Sequence, residues 1–326
     1  MRALMQTSLN GPKDLRLVTD ASVPSPGTGE LLVRVCAAGV NFVDISQARG
    51  TFACGPQPPY LAGIEAAGEV IAVGEGVTGI ASGDHVIGIA IKGGAFAEYL
   101  VLPAAASLPV PHGWVDQQAL GLVVSWPTAV AALRPLGGVS PGQTVLIHAA
   151  AGGTGQAAVK IAKHYGATVI AAASPLKHDV VRALGADHVV DSRSPTIAAD
   201  VLRLTDGAGA DVVLESVGGA TFEASLAATK PVTGRIVVYG LAGGEAAISN
   251  WELVYRHQVH VIGLNIGILI QAAPHIFGAV MNELFGLLAA GVLGPGQPTT
   301  YDLGAGPTVL NELENRTSVG KLALLL

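Results

Sequence analysis

The chain is short of charge. Only 13% of its 326 residues are Asp, Glu, Lys or Arg, against roughly 25% in a typical soluble chain. The charge that is present leans acidic, with 18 Lys and Arg against 24 Asp and Glu and a formal net charge of −6. That argues against nucleic acid or an anionic membrane surface as the main partner. Cysteine is nearly absent. Cys36 and Cys54 form no CxxC pair, so neither a disulfide framework nor a four-cysteine zinc lobe can be built, and in a reducing compartment both thiols are expected to be free. Long apolar runs are missing too. The richest stretch, 259–273, is interrupted by His260, Asn265 and Gln271, well short of the ~18 apolar residues that a spanning helix needs. Residues 1–12 hold no apolar core of signal-peptide length, so a cytoplasmic location and no membrane partner are expected. No internal repeat and no low-complexity linker is visible.

What the chain has is apolar residues (50%) and glycine, 43 of 326. Glycine at nearly twice its usual share of about 7% calls for many turns, close helix–sheet contacts, or backbone that approaches a ligand. At about 150 residues per domain, this length holds two domains. Two textures support that division. Over 31–102, short apolar runs (31–35, 69–73, 85–91, 99–102) alternate with glycine-rich turns such as Gly74-Glu75-Gly76 and Gly83-Asp84, which suggests a barrel-like β domain. From about Gly142 the period changes. Runs at 144–149, 168–173, 211–214 and 235–239 are apolar over most of their length rather than alternating, the pattern of strands buried on both faces of a parallel sheet. Between them, 154–165 and 177–184 read as helices, with Ala157, Ala158, Ile161, Ala162 and Tyr165 on one face of the first. Alternating β and α elements predict a doubly wound α/β fold. Beyond it, 277–290 reads as a helix and 322–326 as a strand able to close the sheet of the first domain.

The sharpest local signal is Ala149-Ala150-Ala151-Gly152-Gly153-Thr154-Gly155. It follows a strand and opens a helix, the context that a dinucleotide fingerprint requires. In the GxGxxG frame the three positions are Ala150, Gly152 and Gly155. The second lets backbone approach a pyrophosphate, and the third lets helix and strand pack closely. The helix N-terminus then offers N–H groups and partial positive charge to phosphates. Ala150 departs from the pattern, and the alternative is a plain glycine-rich turn. An NAD site places Asp or Glu at the end of the second strand, to bond the ribose 2′-hydroxyl. Here that strand ends Ala171-Ala172-Ala173-Ser174, with no carboxylate to repel a 2′-phosphate. Ser174 can donate a hydrogen bond and Lys177 lies three residues on. A charge-assisted bond contributes about 1.5–3 kcal/mol, so one lysine shifts preference towards NADPH roughly ten- to a hundredfold. The other reading of Lys177 is a solvated lysine in the first turn of a helix. Cations are mildly disfavoured there, which favours the phosphate.

Six short segments, in this order and spacing, give the chain its resemblance to a known family. They are Ala38-Gly39-Val40-Asn41-Phe42-Val43-Asp44, Gly63-Ile64-Glu65-Ala66-Ala67-Gly68, Gly83-Asp84-His85-Val86, His148 to Gly155, Leu184-Gly185-Ala186-Asp187 and Glu215-Ser216-Val217-Gly218-Gly219. Together they resemble the medium-chain dehydrogenase/reductase superfamily over nearly the whole chain, and within it the zinc-independent quinone oxidoreductase branch of zeta-crystallin type. The resemblance implies a GroES-like β-barrel-type catalytic domain over 1–122, a Rossmann NADP-binding domain over 123–265, and a C-terminal return over 266–326 that completes the first domain. It also implies a homodimer paired through Rossmann edge strands, which would protect an edge. The stretch 259–270 is then the candidate interface, or else a buried strand and loop.

The same resemblance implies a site. Zinc-dependent members take ligands at positions that match Asn41, Ile64 and Val124. Ile and Val cannot ligate zinc, and a catalytic site normally has three protein ligands. The nine histidines show no HxxxH spacing, so no metal is expected. Asn41, Asp44 and Thr128 are implied near the nicotinamide. Asn41 would bond a substrate carbonyl or the nicotinamide ribose, and Asp44 would orient. Without a family context, Asn41 reads as a turn amide bonded to its own backbone and Asp44 as a helix N-terminal carboxylate. Val217, Gly218, Gly240, Leu241, Leu264 and Asn265 are implied along the inner half of the cofactor, and Arg316 is implied to join Lys177 around the 2′-phosphate. Otherwise Arg316 is a surface arginine. Two residues depart from the pattern. Ser192, beside Arg193, and Phe52 stand where relatives carry tyrosines. Phe52 cannot donate a proton, which argues against a dedicated enoyl reductase. Cys54, nearby, reads as a bystander.

With no Lewis acid to stabilise an alkoxide, the expected acceptor is one that takes hydride readily. The leading expectation is NADPH-dependent, zinc-free hydride transfer to a quinone or quinone-like carbonyl, catalysed chiefly by proximity and orientation. Its rivals are a reductase of α,β-unsaturated carbonyls on the same scaffold and an NADPH-binding protein without turnover.

Overall fold

A computed structural model of the chain describes every residue except Ile91, so the last residue of the 85–91 run lies outside the described residues. The chain divides into two units, Met1–Val124 with Pro295–Leu326, and Ser125–Gly294. In chain order the first part of unit one holds β1 (Ala3–Gln6), β2 (Leu15–Val18), β3 (Glu30–Val40), α1 (Phe42–Ala48), β4 (Tyr60–Leu61), β5 (Glu65–Val73), β6 (His85–Ile89), β7 (Tyr99–Pro103), β8 (Ser107–Pro109) and α2 (Asp116–Ala119). Unit two follows with α3 (Ser125–Ala131), β9 (Thr144–Ile147), α4 (Gly153–His164), β10 (Thr168–Ala173), α5 (His178–Ala183), β11 (His188–Asp191), α6 (Ile197–Leu204), β12 (Val212–Glu215), α7 (Gly219–Ala228), β13 (Arg235–Val238), β14 (His260–Gly263), α8 (Ile266–Ala272) and α9 (Pro274–Ala289). The chain returns to unit one as β15 (Thr299–Asp302), α10 (Gly306–Glu314) and β16 (Leu322–Leu325).

Unit one is built on a seven-stranded sheet in the order β15-β16-β3-β5-β6-β8, with β7 also paired to β3, and a small sheet β2-β1-β4. Along the first half of β3 burial alternates. Leu31, Val33 and Val35 face the core, while Arg34 is exposed, as the period-2 geometry of a half-buried strand requires. The core gathers Leu4, Leu31, Phe96, Leu102, Leu322 and Leu324. β16 supplies the last two of these and pairs antiparallel with β3, Leu322 opposite Val40 and Leu325 opposite Ala37. The terminal strand therefore completes the sheet of the first unit, as the apolar run at 322–326 suggests.

Unit two is a six-stranded sheet in the order β11-β10-β9-β12-β13-β14, parallel throughout. The central strands are buried on both faces. All four residues of β12 are buried, and so are Val145, Leu146 and Ile147 of β9. This is why they read as unbroken apolar runs rather than alternating ones. The reversal of strand order between β9 and β12 makes a topological switch point, where the crevice outside the strand ends takes ligands in open α/β sheets.

The second unit extends further than the sequence suggests. Its boundaries fall at Ser125 and Gly294 rather than at 123 and 265, so residues 266–294 belong to it and not to the return. The physical reason is packing. α9 lies against α3 and α8, all within this unit, and buries Val280, Leu284 and Leu287. Among the described residues, no helix is long and apolar enough to cross a membrane.

Candidate functional site

In unit one a buried polar cluster forms where β3 ends. Asn41 N-caps α1, and the Asp44 Oδ2 carboxylate accepts a hydrogen bond from its backbone N–H at 2.8 Å. The Asn41 side chain is turned to other partners. Nδ2 donates to Glu65 Oε2 (2.9 Å) and to the Gly39 carbonyl (3.1 Å). Lys321 Nζ donates to Asn41 Oδ1 (2.7 Å) and to Glu65 Oε2 (2.5 Å), and the Gly121 N–H donates to Glu65 Oε1 (2.7 Å). The β16–β3 register produces this arrangement, because pairing Leu322 with Val40 sets Lys321 beside Asn41. Gly39 is needed for it. A Cβ there would stand 2.3 Å from Glu65 Oε2 and 3.0 Å from Lys321 Cε. Glu65 is wholly buried and the Lys321 side chain is 11% exposed, so the two charges are paired out of water and satisfied by further hydrogen bonds.

Asp44 is buried beside this cluster. Its Oδ1 makes no hydrogen bond of good geometry. Burial pushes its carboxyl up to about 7. The Asn41 N–H and the Lys321 charge oppose that rise, the Glu65 charge adds to it, and the nearby Ile64 N–H opposes it least. Tyr60 on β4 is half-buried, and burial together with the Asp44 charge pushes its phenol up to about 12.

The Asp44 environment predicts a pH-dependent stability. The folded chain keeps the Asp44 proton to about pH 7, while the unfolded chain releases it near 3.8. The Asp44 contribution to stability is therefore fully present below about pH 4, falls as pH rises through 7, and then levels. At 1.36 kcal/mol per pKa unit the fall is on the order of 4 kcal/mol. Between pH 5 and pH 8 about two pKa units of that span are crossed, so urea unfolding is expected to show a loss of about 2.6 kcal/mol in the wild type that is missing in Asp44→Asn. Parallel pH profiles for the two proteins would refute it.

In unit two the predicted residues gather at the C-terminal ends of the parallel strands. The glycine loop follows β9, Ser174 follows β10, and Ser192 follows β11. Val217 and Gly218 follow β12, Gly240 and Leu241 follow β13, and Leu264 and Asn265 follow β14. The left-handed turn of the loop falls on Ala149 (φ 47°) and not on Ala150. Gly152 N-caps α4. A Cβ at Gly152 would meet only the Ala149 carbonyl, at 3.3 Å, so its face is open to a ligand. A Cβ at Gly155 would stand 2.3 Å from the Ala149 carbonyl oxygen and 2.7 Å from Ala150 Cα, which is the close packing expected of the third glycine. At Gly240 it would stand 2.6 Å from the Ser216 carbonyl, so the loops after β12 and β13 also approach closely. Asn265 has a local duty as well, since its Oδ1 caps α8 by accepting from the Ile268 N–H at 3.1 Å.

Lys177 is half-buried at the end of the Pro175–Lys177 turn. Burial lowers its ammonium, and so does the nearby charge of Arg193. Two cations thus converge at the ends of β10 and β11, an arrangement suited to an anion. Open glycine backbone at a helix N-terminus and a paired cation site fit the pyrophosphate and 2′-phosphate of NADPH. Thr128 is buried on α3 in unit two, while Asn41, Asp44 and the exposed Arg316 belong to unit one.

Sequence reasoning missed the His148–Ser225–Glu215 network. Ser225 Oγ lies 3.0 Å from His148 Nε2 and donates to Glu215 Oε2 at 2.7 Å. Glu215 Oε1 accepts from the Val217 and Gly218 N–H groups at 2.6 and 3.0 Å. All three side chains are buried, and burial lowers the His148 imidazole so that it stays neutral. The residue types are those of a hydrolytic triad, but no nucleophile faces solvent. The network pins the 217–218 turn. Lys321 and Tyr60 were missed too. Lys321 carries no local signal, and 280 residues separate it from Asn41.

Comparisons with known proteins agree with this geometry. Residues 27–112 match the family described as alcohol dehydrogenase GroES-like domain, and residues 153–283 match the family described as zinc-binding dehydrogenase. A quinone oxidoreductase-like protein 2 homolog from Nematostella vectensis is 33% identical over 99% of this chain and 88% of its own length. Erythronolide synthase EryA2 from Saccharopolyspora erythraea is 38% identical over 91% of this chain, which spans only 8% of that protein. The structure of Escherichia coli quinone oxidoreductase complexed with NADPH superposes with a TM-score of 0.92 at 28% identity, covering 100% of both chains. Zinc features in one family description, yet Ile64 and Val124 offer no ligand atom. Among the described residues, the one trio of His, Cys, Asp or Glu close enough to share a metal is Cys36, His85 and Asp116, none of them at positions 41, 64 or 124.

Proposed function

Because the chain belongs to the medium-chain dehydrogenase/reductase superfamily, in its quinone-oxidoreductase-like branch, we propose that it is a zinc-independent, NADPH-dependent oxidoreductase that passes hydride to a quinone or quinone-like carbonyl. The observation that carries this reading is the Glu65–Asn41–Lys321 cluster, in which the residue that the resemblance matches to a zinc ligand is an amide bonded to a carboxylate and an ammonium. NADPH, when bound, supplies the hydride. A quinone oxygen becomes phenolate-like on reduction and needs no Lewis acid.

The residues take these roles. Gly152, Gly153, Thr154 and Gly155 receive the pyrophosphate, with Ala150 beneath them. Lys177, with Arg193 and Ser174, receives the 2′-phosphate, and Ser192 borders it. Val217, Gly218, Gly240, Leu241, Leu264 and Asn265 line the inner half of the cofactor, and Thr128 faces the nicotinamide. Both Asn41 amide hydrogens are already engaged. Its role is therefore to accept from a ribose hydroxyl through Oδ1, and donation to an acceptor carbonyl falls to Lys321. Asp44 holds the Asn41 backbone and orients the cap.

Reduction of α,β-unsaturated carbonyls is the second reading, and one observation favours it. The half-buried Tyr60 phenol, beside Asp44, offers the proton donor that Phe52 lacks. The test is NADPH consumption by chelator-treated protein with a simple quinone, beside an enone and an NADH control. Turnover with the quinone is expected, and Lys177→Ala is expected to cut the NADPH-over-NADH preference roughly ten- to a hundredfold. Turnover with the enone alone selects the second reading. Saturable NADPH binding without turnover selects a non-catalytic binder.

The proposed assembly is a homodimer through β14. This strand is the outer one of its sheet, and it is largely exposed, as is Ile268 beyond it (63%). An unpaired edge of this kind is usually covered. Light scattering is expected to give the mass of two chains, and one chain in Val261→Lys; a wild-type monomer would refute the dimer.

A further inference from the structure

We propose that Cys36, His85 and Asp116 form a binding site for a zinc-class divalent cation in unit one, separate from the cofactor residues. The three residues come from distant parts of the chain. Register shifts in the β3–β5 ladder between Val35 and Ala37 mark Cys36 as a bulged residue, and a bulge re-aims its side chain. His85 opens β6 and Asp116 opens α2, which packs on β3, β5 and β6. The sulfur of Cys36, a ring nitrogen of His85 and a carboxylate oxygen of Asp116 lie within 4.8 Å of one another. His85 Nδ1 is 2.9 and 3.0 Å from the two Asp116 oxygens.

A thiolate, an imidazole and a carboxylate form a borderline-soft S/N/O set, which suits zinc better than magnesium or calcium. Ligand atoms around tetrahedral zinc lie about 3.3–3.8 Å apart, from metal–ligand bonds of about 2.0–2.3 Å. The widest pair, within 4.8 Å, must close by about 1–1.5 Å at most, while the 2.9 Å His85–Asp116 contact opens by about half an ångström, and the half-exposed His85 side chain can rotate to supply both. Asp116 is buried and its position is fixed. Water completes the fourth position. On binding, the Cys36 thiol proton passes to solvent, the proton that His85 Nδ1 shares with the Asp116 carboxylate is exchanged through solvent for one on Nε2, which frees Nδ1 to ligate, and the cation's charge is offset by thiolate and carboxylate. The ion would tie the bulge of β3, the start of β6 and α2 together.

The probe is Co2+ added to reduced, chelator-treated full-length protein, followed by displacement with Zn2+. One Co2+ per chain is expected, with a near-ultraviolet thiolate-to-cobalt band that one equivalent of Zn2+ removes. The band is expected to survive Cys54→Ala, to vanish in Cys36→Ser, and to need at least tenfold more Co2+ in His85→Gln, a half-exposed position where the substitution leaves the fold intact. Circular dichroism confirms that each variant is folded. Absence of the band in the wild type, its persistence in Cys36→Ser, or unchanged affinity in His85→Gln would each overturn the site, the last two marking an adventitious ion.

Discussion

Lys321→Met lowers the unfolding free energy by about 3–5 kcal/mol, the usual cost of removing one partner from a buried ion pair. The substitution keeps most of the aliphatic stem, so the loss isolates the ammonium. It leaves Glu65, which is wholly buried, with donors only from Asn41 Nδ2 and the Gly121 N–H, and it leaves Asn41 Oδ1 without its donor. The wild-type arrangement is not thereby a large net stabiliser, because two charges were taken out of water to make it. The Glu65→Gln/Lys321→Met double variant should recover much of the loss, since no uncompensated charge remains, and the coupling energy from the full cycle measures the pair. Urea unfolding of the four proteins decides it. A Lys321→Met cost below about 1 kcal/mol would show that Lys321 is solvated and that the cluster does not exist in solution.

Gly152→Ala and Gly155→Ala are expected to separate cofactor binding from folding. At Gly155 the added methyl meets backbone, 2.3 Å from the Ala149 carbonyl oxygen and 2.7 Å from Ala150 Cα. Backbone cannot rotate aside, so α4 must move off the 149–150 turn. Overpacking of this kind costs about 1–3 kcal/mol. It also displaces the helix N-terminus whose N–H groups would meet the phosphates. At Gly152 the methyl has ordinary backbone angles (φ −82°, ψ 174°) and one neighbour, at 3.3 Å. Stability should change by less than about 1 kcal/mol, while the methyl fills the space a pyrophosphate would approach. NADPH affinity, read by fluorescence titration, is expected to fall roughly ten- to a hundredfold in both variants, with the larger fall in thermal midpoint in Gly155→Ala. Unchanged affinity in Gly152→Ala would move the phosphates away from this loop.

The division between what was legible and what was not follows interaction range. β9, α4, β10 and α5 were readable because burial on a strand or helix repeats within a few residues, and the loop between β9 and α4 was readable because close approach leaves glycine at fixed offsets. Ser174 and Lys177 were readable because the second strand ends where its apolar run ends. The family resemblance supplied the positions 41, 64 and 124, and residue types did the rest, since Ile and Val side chains hold no ligand atom.

The remaining features depended on pairing across the chain. Nothing local marks Lys321 as the partner of Asn41 and Glu65, because that contact exists only once β16 docks on β3 in one register. Asn41 reads equally well as a self-bonded turn amide, and only the docked lysine and glutamate show where its side chain turns. The same holds for Ser225 with His148 and Glu215, for Cys36 with His85 and Asp116, and for α9, whose membership of the second unit is decided by the face of α3 it covers. By itself the sequence determined the two-domain α/β architecture and the position of the glycine loop between β9 and α4, because these rest on local periodicity and on glycine at fixed offsets. The tertiary structure alone decided which buried charges meet and which helices belong to which unit, because those depend on strand register and packing summed over residues hundreds of positions apart.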